Sequence, residues 1–223
     1  MAKIEPFEAH HERYESWFDR HREAYVSELL AVRAFVPLEG KGLEVGIGSG
    51  RFSAPLGVQY GIDPSPAMLN YARSCGMNVA VAIAEQLPFK ACVFDYALVV
   101  TTICFVDSAS DMLAEIHRVL TPEGKLIIGL IDRESELGAF YQKHKAESVF
   151  YRDAEFFSAA EVERLLEDNG FTVNARAQTL FRPLPETTEI EPTLPGRGKG
   201  AFVVITGKKA GPLGPAKGCE SVV

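Results

Sequence analysis

The chain lacks any apolar run approaching the ~20 residues that a membrane-spanning helix requires, so no span is expected among its 223 residues. It also lacks the apolar centre of a signal peptide, because MAKIEPFEAHHERYESWFDRHREAY is charged throughout. A cytoplasmic location is the expectation. A basic excess is missing as well: the formal net charge is −7, whereas nucleic-acid surfaces usually gather clustered lysine and arginine, so no nucleic-acid partner is expected. Cysteine is sparse. Cys75, Cys92, Cys104 and Cys219 form no CxxC pair, and no histidine stands at metal-ligand spacing from them. No metal site and no disulfide framework is expected, only reduced and mostly buried thiols.

What is present suits one packed core. Hydrophobic residues make up 47% and charged residues 24%, near the averages of soluble globular domains, and the length fits one large domain. Tyr14, Trp17, Phe18, Tyr25, Leu29, Val32 and Phe35 are spaced for one or two amphipathic helices. Pro37, Gly40 and Gly42 then break the pattern.

A rhythm of strand, turn and helix follows. GLEVG reads as a first strand and VQYGID as a second, with a short helix from about Gly50 to Leu56 between them. PSPAMLNYARSC is predicted helical, with Ser65 as N-cap and Pro66 at the first helical position. NVAVAIA reads as a third strand. The continuous apolar run in FDYALVVTTICFV suits a fourth strand covered on both faces. SASDMLAEIHRVL is the next helix, and TPEG turns it into KLIIGLID, a fifth strand. A charged helix-like stretch over 133–148 precedes SAAEVERLLEDNG, a capped helix stopped by Gly170. FTVNARAQTLF and GAFVVITG complete the strands, joined by the proline-rich RPLPETTEIEPTLPGRGKG as a long loop. Such alternation implies an α/β fold with a doubly wound, mostly parallel sheet and helices on both faces. Ligands collect there at the strands' carboxyl ends, where strand order reverses.

The segment LEVGIGSGRF lies at that edge and offers bare backbone at Gly46, Gly48 and Gly50. A dinucleotide, a nucleotide phosphate, an adenosyl cofactor or a mere tight turn would each account for glycines there. A dinucleotide fingerprint needs a third glycine where Arg51 stands, and no Lys-Ser or Lys-Thr follows for a phosphate loop. Two carboxylates sharpen the choice. Asp63 closes the second strand in YGIDPSP, placed to accept from vicinal ribose hydroxyls or to serve as a turn residue. Glu85 follows the third strand in AEQLPF, where a surface glutamate is the plainer reading.

The stretches LEVGIGSGRFSAPL, GIDPSPAMLNYAR, AEQLPF, FDYALVVTTICFVD, EIHRVLTPEGKLIIGLID, FFSAAEVERLLEDNGF and GAFVVITG together resemble a known family. It is the class I S-adenosylmethionine-dependent methyltransferases, in their type 11 branch, which includes quinone-biosynthesis enzymes; the resemblance covers about residues 14–207. It implies a Rossmann-like, seven-stranded sheet with the last strand antiparallel. The leading helices form an expected cap over 1–40, the methyltransferase domain is expected over 41–207, and the Gly/Pro composition of 208–223 marks a flexible tail. Within the domain an insert at about 133–157 and a loop at 182–199 would lie on the substrate side. The implied cofactor is S-adenosyl-L-methionine, with S-adenosyl-L-homocysteine as product. Gly46, Gly48 and Gly50 would let the backbone approach it, with Glu44 at its methionine end. Asp63 would grip its ribose, Pro64 and Met68 flank its adenine, Ala84 and Glu85 border the base, and Thr101 lie near the methionyl group. Relatives often carry an aspartate where Ile83 stands.

The first helix, the turn 102–105, Asp132 and the aromatic residues of the insert are expected to wall a small, aromatic or apolar acceptor, or simply to pack the core. Tyr14 and His144 are the candidate catalytic groups. Two rival functions fit the same residues, an NAD-dependent oxidoreductase and a non-catalytic module that keeps the cofactor crevice.

Overall fold

A computed structural model describes residues 5–210. The tail expected to be flexible lies outside the described residues from 211 onward. Three helices lead in, where one or two were expected: α1 (Glu5–Ala9), α2 (His11–Arg20) and α3 (Arg22–Arg33). The break between the last two falls at His21, whose φ of −120° and ψ of 44° leave the helical region.

The sheet then begins with β1 (Gly42–Val45), α4 (Ser53–Leu56), β2 (Tyr60–Asp63), α5 (Pro66–Ser74) and β3 (Asn78–Val81). It continues through β4 (Phe94–Val100), α6 (Ala109–Val119), β5 (Leu120–Ile131), α7 (Glu136–His144) and α8 (Ala159–Asp168). β6 (Phe171–Thr179), β7 (Leu194–Pro195) and β8 (Phe202–Lys209) close it. The strand order is β3-β2-β1-β4-β5-β8-β6-β7. The strands from β3 to β5 run parallel, and β8 is antiparallel to both of its neighbours. The chain therefore winds outward from β1 to β3, then returns to lay β4 beside β1. That reversal opens a crevice at the ends of β1 and β4.

Two expectations need correction. The sheet has eight strands rather than seven, because Leu194–Pro195, read as loop, pairs with Gln178 and Ala177 of β6. A proline without an N–H fits such an edge position. TPEG is not a free turn: Leu120 pairs with Phe94 and Lys125 with Tyr96, so 121–124 bulge out of a continuous β5, with Glu123 at a φ of 68°.

Side chains of β4 and β5 alternate between the two faces, as the pleat requires. Ala97, Val99, Leu126 and Ile128 pack under α6 and α8 through Met112, Ile116, Val162 and Leu166. Leu98, Val100, Ile127 and Phe202 face Phe18, Ala31, Val32 and Phe52, so the N-terminal helices cover the other face. Helix starts follow the capping rules. Ser65 and Ser108 each accept a backbone N–H, and Ser158 forms a reciprocal capping box with Glu161.

Cysteine placement departs from expectation: Cys75 is exposed, Cys104 is half-buried with its Sγ donating to the Thr101 carbonyl at 3.4 Å, and Cys92 is disulfide-bonded. Among the described residues no helix is long and apolar enough to cross a membrane.

Candidate functional site

The turn after β1 places Gly46 and Gly48 at φ values of 75° and 53°, in the left-handed region that disfavours side chains. Their surroundings differ. A Cβ on Gly46 would overlap the Thr102 side chain, whose Oγ1 donates to the Gly46 carbonyl at 3.2 Å. Gly46 is bare so that the ends of β1 and β4 can close. A Cβ on Gly48 would meet no backbone, only the Met68 Cε at 3.4 Å and the Tyr14 hydroxyl at 4.0 Å, side chains that line the cavity. Gly50 is turned away, against Met77 and Ala72.

Asp63 is oriented from two sides. The Gly48 N–H donates to its Oδ2 at 2.9 Å, and the Ser65 N–H donates to its Oδ1 at 2.9 Å. Burial raises its pKa, while those two backbone donors pull the other way. Beside it, Glu8 of α1 accepts from the Ser65 hydroxyl and from the Ala67 N–H at 3.1 Å, fastening the N-terminal arm across the start of α5.

A cavity of about 460 Å³ opens over this turn. Gly46, Gly48, Asp63, Pro64 and Met68 line one end, with Ile83, Ala84, Glu85 and Thr101 beside them. Glu85 also holds the loop after β4, since its Oε1 accepts from Asp107 N–H at 2.7 Å and Ser108 N–H at 3.2 Å. Tyr14 and His144 line the cavity too. His144 Nδ1–H donates to the Phe140 carbonyl at 2.9 Å, which leaves Nε2 as the free ring nitrogen.

Two of the expected cofactor residues lie behind the turn rather than on the cavity surface: Gly50 and Glu44. Glu44 is buried, accepts from the Ser53 hydroxyl, and is pushed up to about 8 by burial. Asp132, expected on the substrate side, is a buried support that accepts from Glu134 N–H at 3.0 Å and Ala159 N–H at 3.3 Å.

Arg51 has a task its sequence position did not disclose. It pairs with Glu15 of α2 at 2.7 Å, and its guanidinium lies 5.1 Å from the Phe18 ring centroid. Its carbonyl accepts from the Tyr25 hydroxyl of α3. The residue that replaces the third dinucleotide glycine thus clamps α2 and α3 to the turn.

The far end of the cavity is aromatic. Phe7 meets Tyr14, Phe105 and Phe150 with centroids 5.1–5.6 Å apart, and Tyr141 meets Tyr151 at 4.9 Å. Phe140, Tyr141, Phe150 and Tyr151 of the insert line this end, while Phe156 sits behind Tyr151. Phe7 and Glu28 escaped sequence reading. Glu28 lies among apolar positions of α3, and a helical glutamate ordinarily points to solvent.

Comparison with known proteins converges on one family. Residues 43–128 match the family described as a methyltransferase domain. The solved structure of an S-adenosylmethionine-dependent methyltransferase from Thermotoga maritima, a possible histamine N-methyltransferase, is 48% identical with a TM-score of 0.89. The match covers 92% of this chain and 98% of that one. An uncharacterized protein of Methanocaldococcus jannaschii is 40% identical over 91% of this chain and 98% of its own length. A malonyl-[acyl-carrier protein] O-methyltransferase of Methylococcus capsulatus is 26% identical over 79% of this chain and 68% of that protein.

Proposed function

The chain belongs to the class I S-adenosylmethionine-dependent methyltransferases, and from that premise we propose that it transfers a methyl group to a small-molecule acceptor held in the aromatic end of its cavity. The residues at the other end fit the family's cofactor. Each Asp63 oxygen takes one backbone N–H and keeps a lone pair, which suits vicinal hydroxyls of a ribose. Met68, Ile83 and Ala84 offer apolar walls to a base ring. Gly48 presents bare backbone between them. The hydrogen bond from Gly48 to Asp63, which joins the ends of β1 and β2 inside the cavity, is the observation that carries the reading.

When bound, S-adenosylmethionine would supply an already activated methyl group on a sulfonium. The chain's own work is then mainly geometric. Thr101 and Thr102 border the cavity beside Gly46, Tyr14 overhangs Gly48, and the ring wall keeps water from the acceptor. Alignment of this kind contributes ~7–11 kcal/mol in well-oriented systems. Tyr14 is held neutral, because burial and the nearby carboxylates of Glu15 and Asp63 raise its pKa strongly. It serves as a hydrogen-bonding group rather than as a base. His144, which lines the cavity and keeps Nε2 unbonded, is a candidate proton acceptor.

Calorimetry with S-adenosylmethionine, S-adenosylhomocysteine and NAD tests the reading, and preference for NAD would end it. The Asp63→Ala substitution is expected to weaken S-adenosylhomocysteine binding by about 1.5–3 kcal/mol, the scale of a hydrogen bond to a charged group. Unchanged affinity would move the ribose elsewhere. Transfer of a radiolabelled methyl group into metabolites of a cell extract tests catalysis itself.

A further inference from the structure

The aromatic end of the cavity contains a buried carboxyl group that the cofactor reading leaves unused. Glu28, on the inner side of α3, is only 4% exposed, yet it lines the cavity. Among the described residues no hydrogen bond or ion pair reaches its carboxylate, and burial alone pushes it up to about 8. The titratable groups that sense it are tyrosines from every element around it: Tyr14 on α2, Tyr25 on α3, Tyr141 on α7, and Tyr151 in the segment that follows. Burial holds each of these phenols neutral. Arg13, Arg20 and Glu147, exposed at its rim, and the half-buried His144 also border the cavity, but none of them perturbs Glu28.

We propose that this end receives the methyl acceptor as an organic cation, a small amine with an apolar or aromatic body, whose ammonium group seats against Glu28; the inference rests on the methyltransferase reading of the other end. Without a partner the buried group stays protonated because an unpaired buried carboxylate is costly, and a ligand cation removes that cost and hydrogen-bonds to the carboxylate it stabilises. The surrounding rings act in the same sense, since their negative faces attract cations. Tyr14, Phe105, Tyr141, Phe150 and Tyr151 are the rings that line this end. An anionic acceptor would meet the carboxylate and these ring faces together. A neutral acceptor would leave Glu28 without a partner.

The protons balance as follows. Near pH 7 Glu28 enters as a neutral carboxyl and the amine as an ammonium ion. Formation of the pair releases the carboxyl proton to the buffer, so binding of the cation is coupled to release of up to one proton. For transfer the ammonium gives one proton back to the Glu28 carboxylate, which frees the nitrogen lone pair; the nitrogen–methyl bond then forms as the methyl–sulfur bond breaks, leaving a neutral thioether.

The test uses the full chain and three isosteric probes, 2-phenylethylamine, 2-phenylethanol and phenylacetate. Titration calorimetry at pH 6.5 in buffers of different ionisation enthalpy reads affinity and proton release together. The wild type is expected to bind the amine at least tenfold more tightly than the alcohol, with proton release. Glu28→Gln, which mimics the neutral carboxyl in shape, is expected to lose both the preference and the release while keeping its affinity for S-adenosylhomocysteine. Equal binding of amine and alcohol by the wild type, tighter binding of phenylacetate, or a preference retained in Glu28→Gln would overturn the proposal. Proton release is read on the unmodified protein, so that result stands whatever the variant's stability. Failure of S-adenosylhomocysteine to bind would instead strike the methyltransferase reading, and the two failures are separable because the amine is titrated with and without it.

Discussion

Gly46 and Gly48 are two residues apart and alike in conformation, but they answer to different demands. At Gly46 an added Cβ meets Thr102 as well as backbone strain at a φ of 75°. Gly46→Ala is therefore expected to cost about 2–5 kcal/mol of folding stability, combining left-handed strain with overpacking. Urea unfolding measures this. At Gly48 the added methyl enters the cavity. Gly48→Ala should fold with a loss of only about 1 kcal/mol, yet lose S-adenosylhomocysteine affinity by tenfold or more. Unimpaired binding would show that the backbone at Gly48 does not face the cofactor.

Elements divide in the same way. α8 starts with the Ser158–Glu161 capping box and packs through Val162 and Leu166 on the face away from the N-terminal helices. Ser158→Ala should cost about 1 kcal/mol, the usual worth of an N-cap, with cofactor affinity unchanged when stability and binding are measured side by side. The N-terminal helices behave differently because Arg51 is their tie to the glycine turn. Arg51→Ala removes the ion pair to Glu15 and the cation over Phe18. Partly exposed pairs of this kind are worth little in global stability, about 0–1 kcal/mol. The expected effect is local: faster amide exchange through α2 with little change in the melting temperature. An exchange pattern identical to the wild type would show that the clamp is redundant.

At the scale of the whole molecule, buried carboxylates set the response to pH. Glu28 and Glu44 are both raised to about 8 by burial, from an ordinary value of 4.5. Their contribution to stability is full below pH ~4.5 and is lost as pH rises through about 8, because the unfolded chain ionises first. Glu115 and Glu161 act in the opposite sense. The Arg118 side chain holds Glu115 low, and the Ser158 backbone N–H together with Arg133 holds Glu161 low, so their contribution fades as pH falls. Stability should peak on the acidic side of neutrality. Glu28→Gln should flatten the alkaline limb by up to about 1.4 kcal/mol per pH unit between pH 5 and 8, as chemical denaturation at several pH values would reveal.

The sequence by itself determined the αβ alternation, the serine caps and the crevice after β1, because period, capping and turn chemistry are local and each leaves its mark within a few residues. Ser65, Ser158, Gly46 and Asp63 were legible for that reason. Local pattern could not decide pairing between distant segments. Leu194–Pro195 became a strand only because β6 presented an edge, and residues 121–124 became a bulge only because β4 and β5 paired on both sides of them. The buried carboxyl inside the cavity likewise depends on tertiary structure. Glu28 reads as one more polar helical residue until α2, α7 and the segment around Tyr151 close around it, since burial is a property of neighbours rather than of the residue.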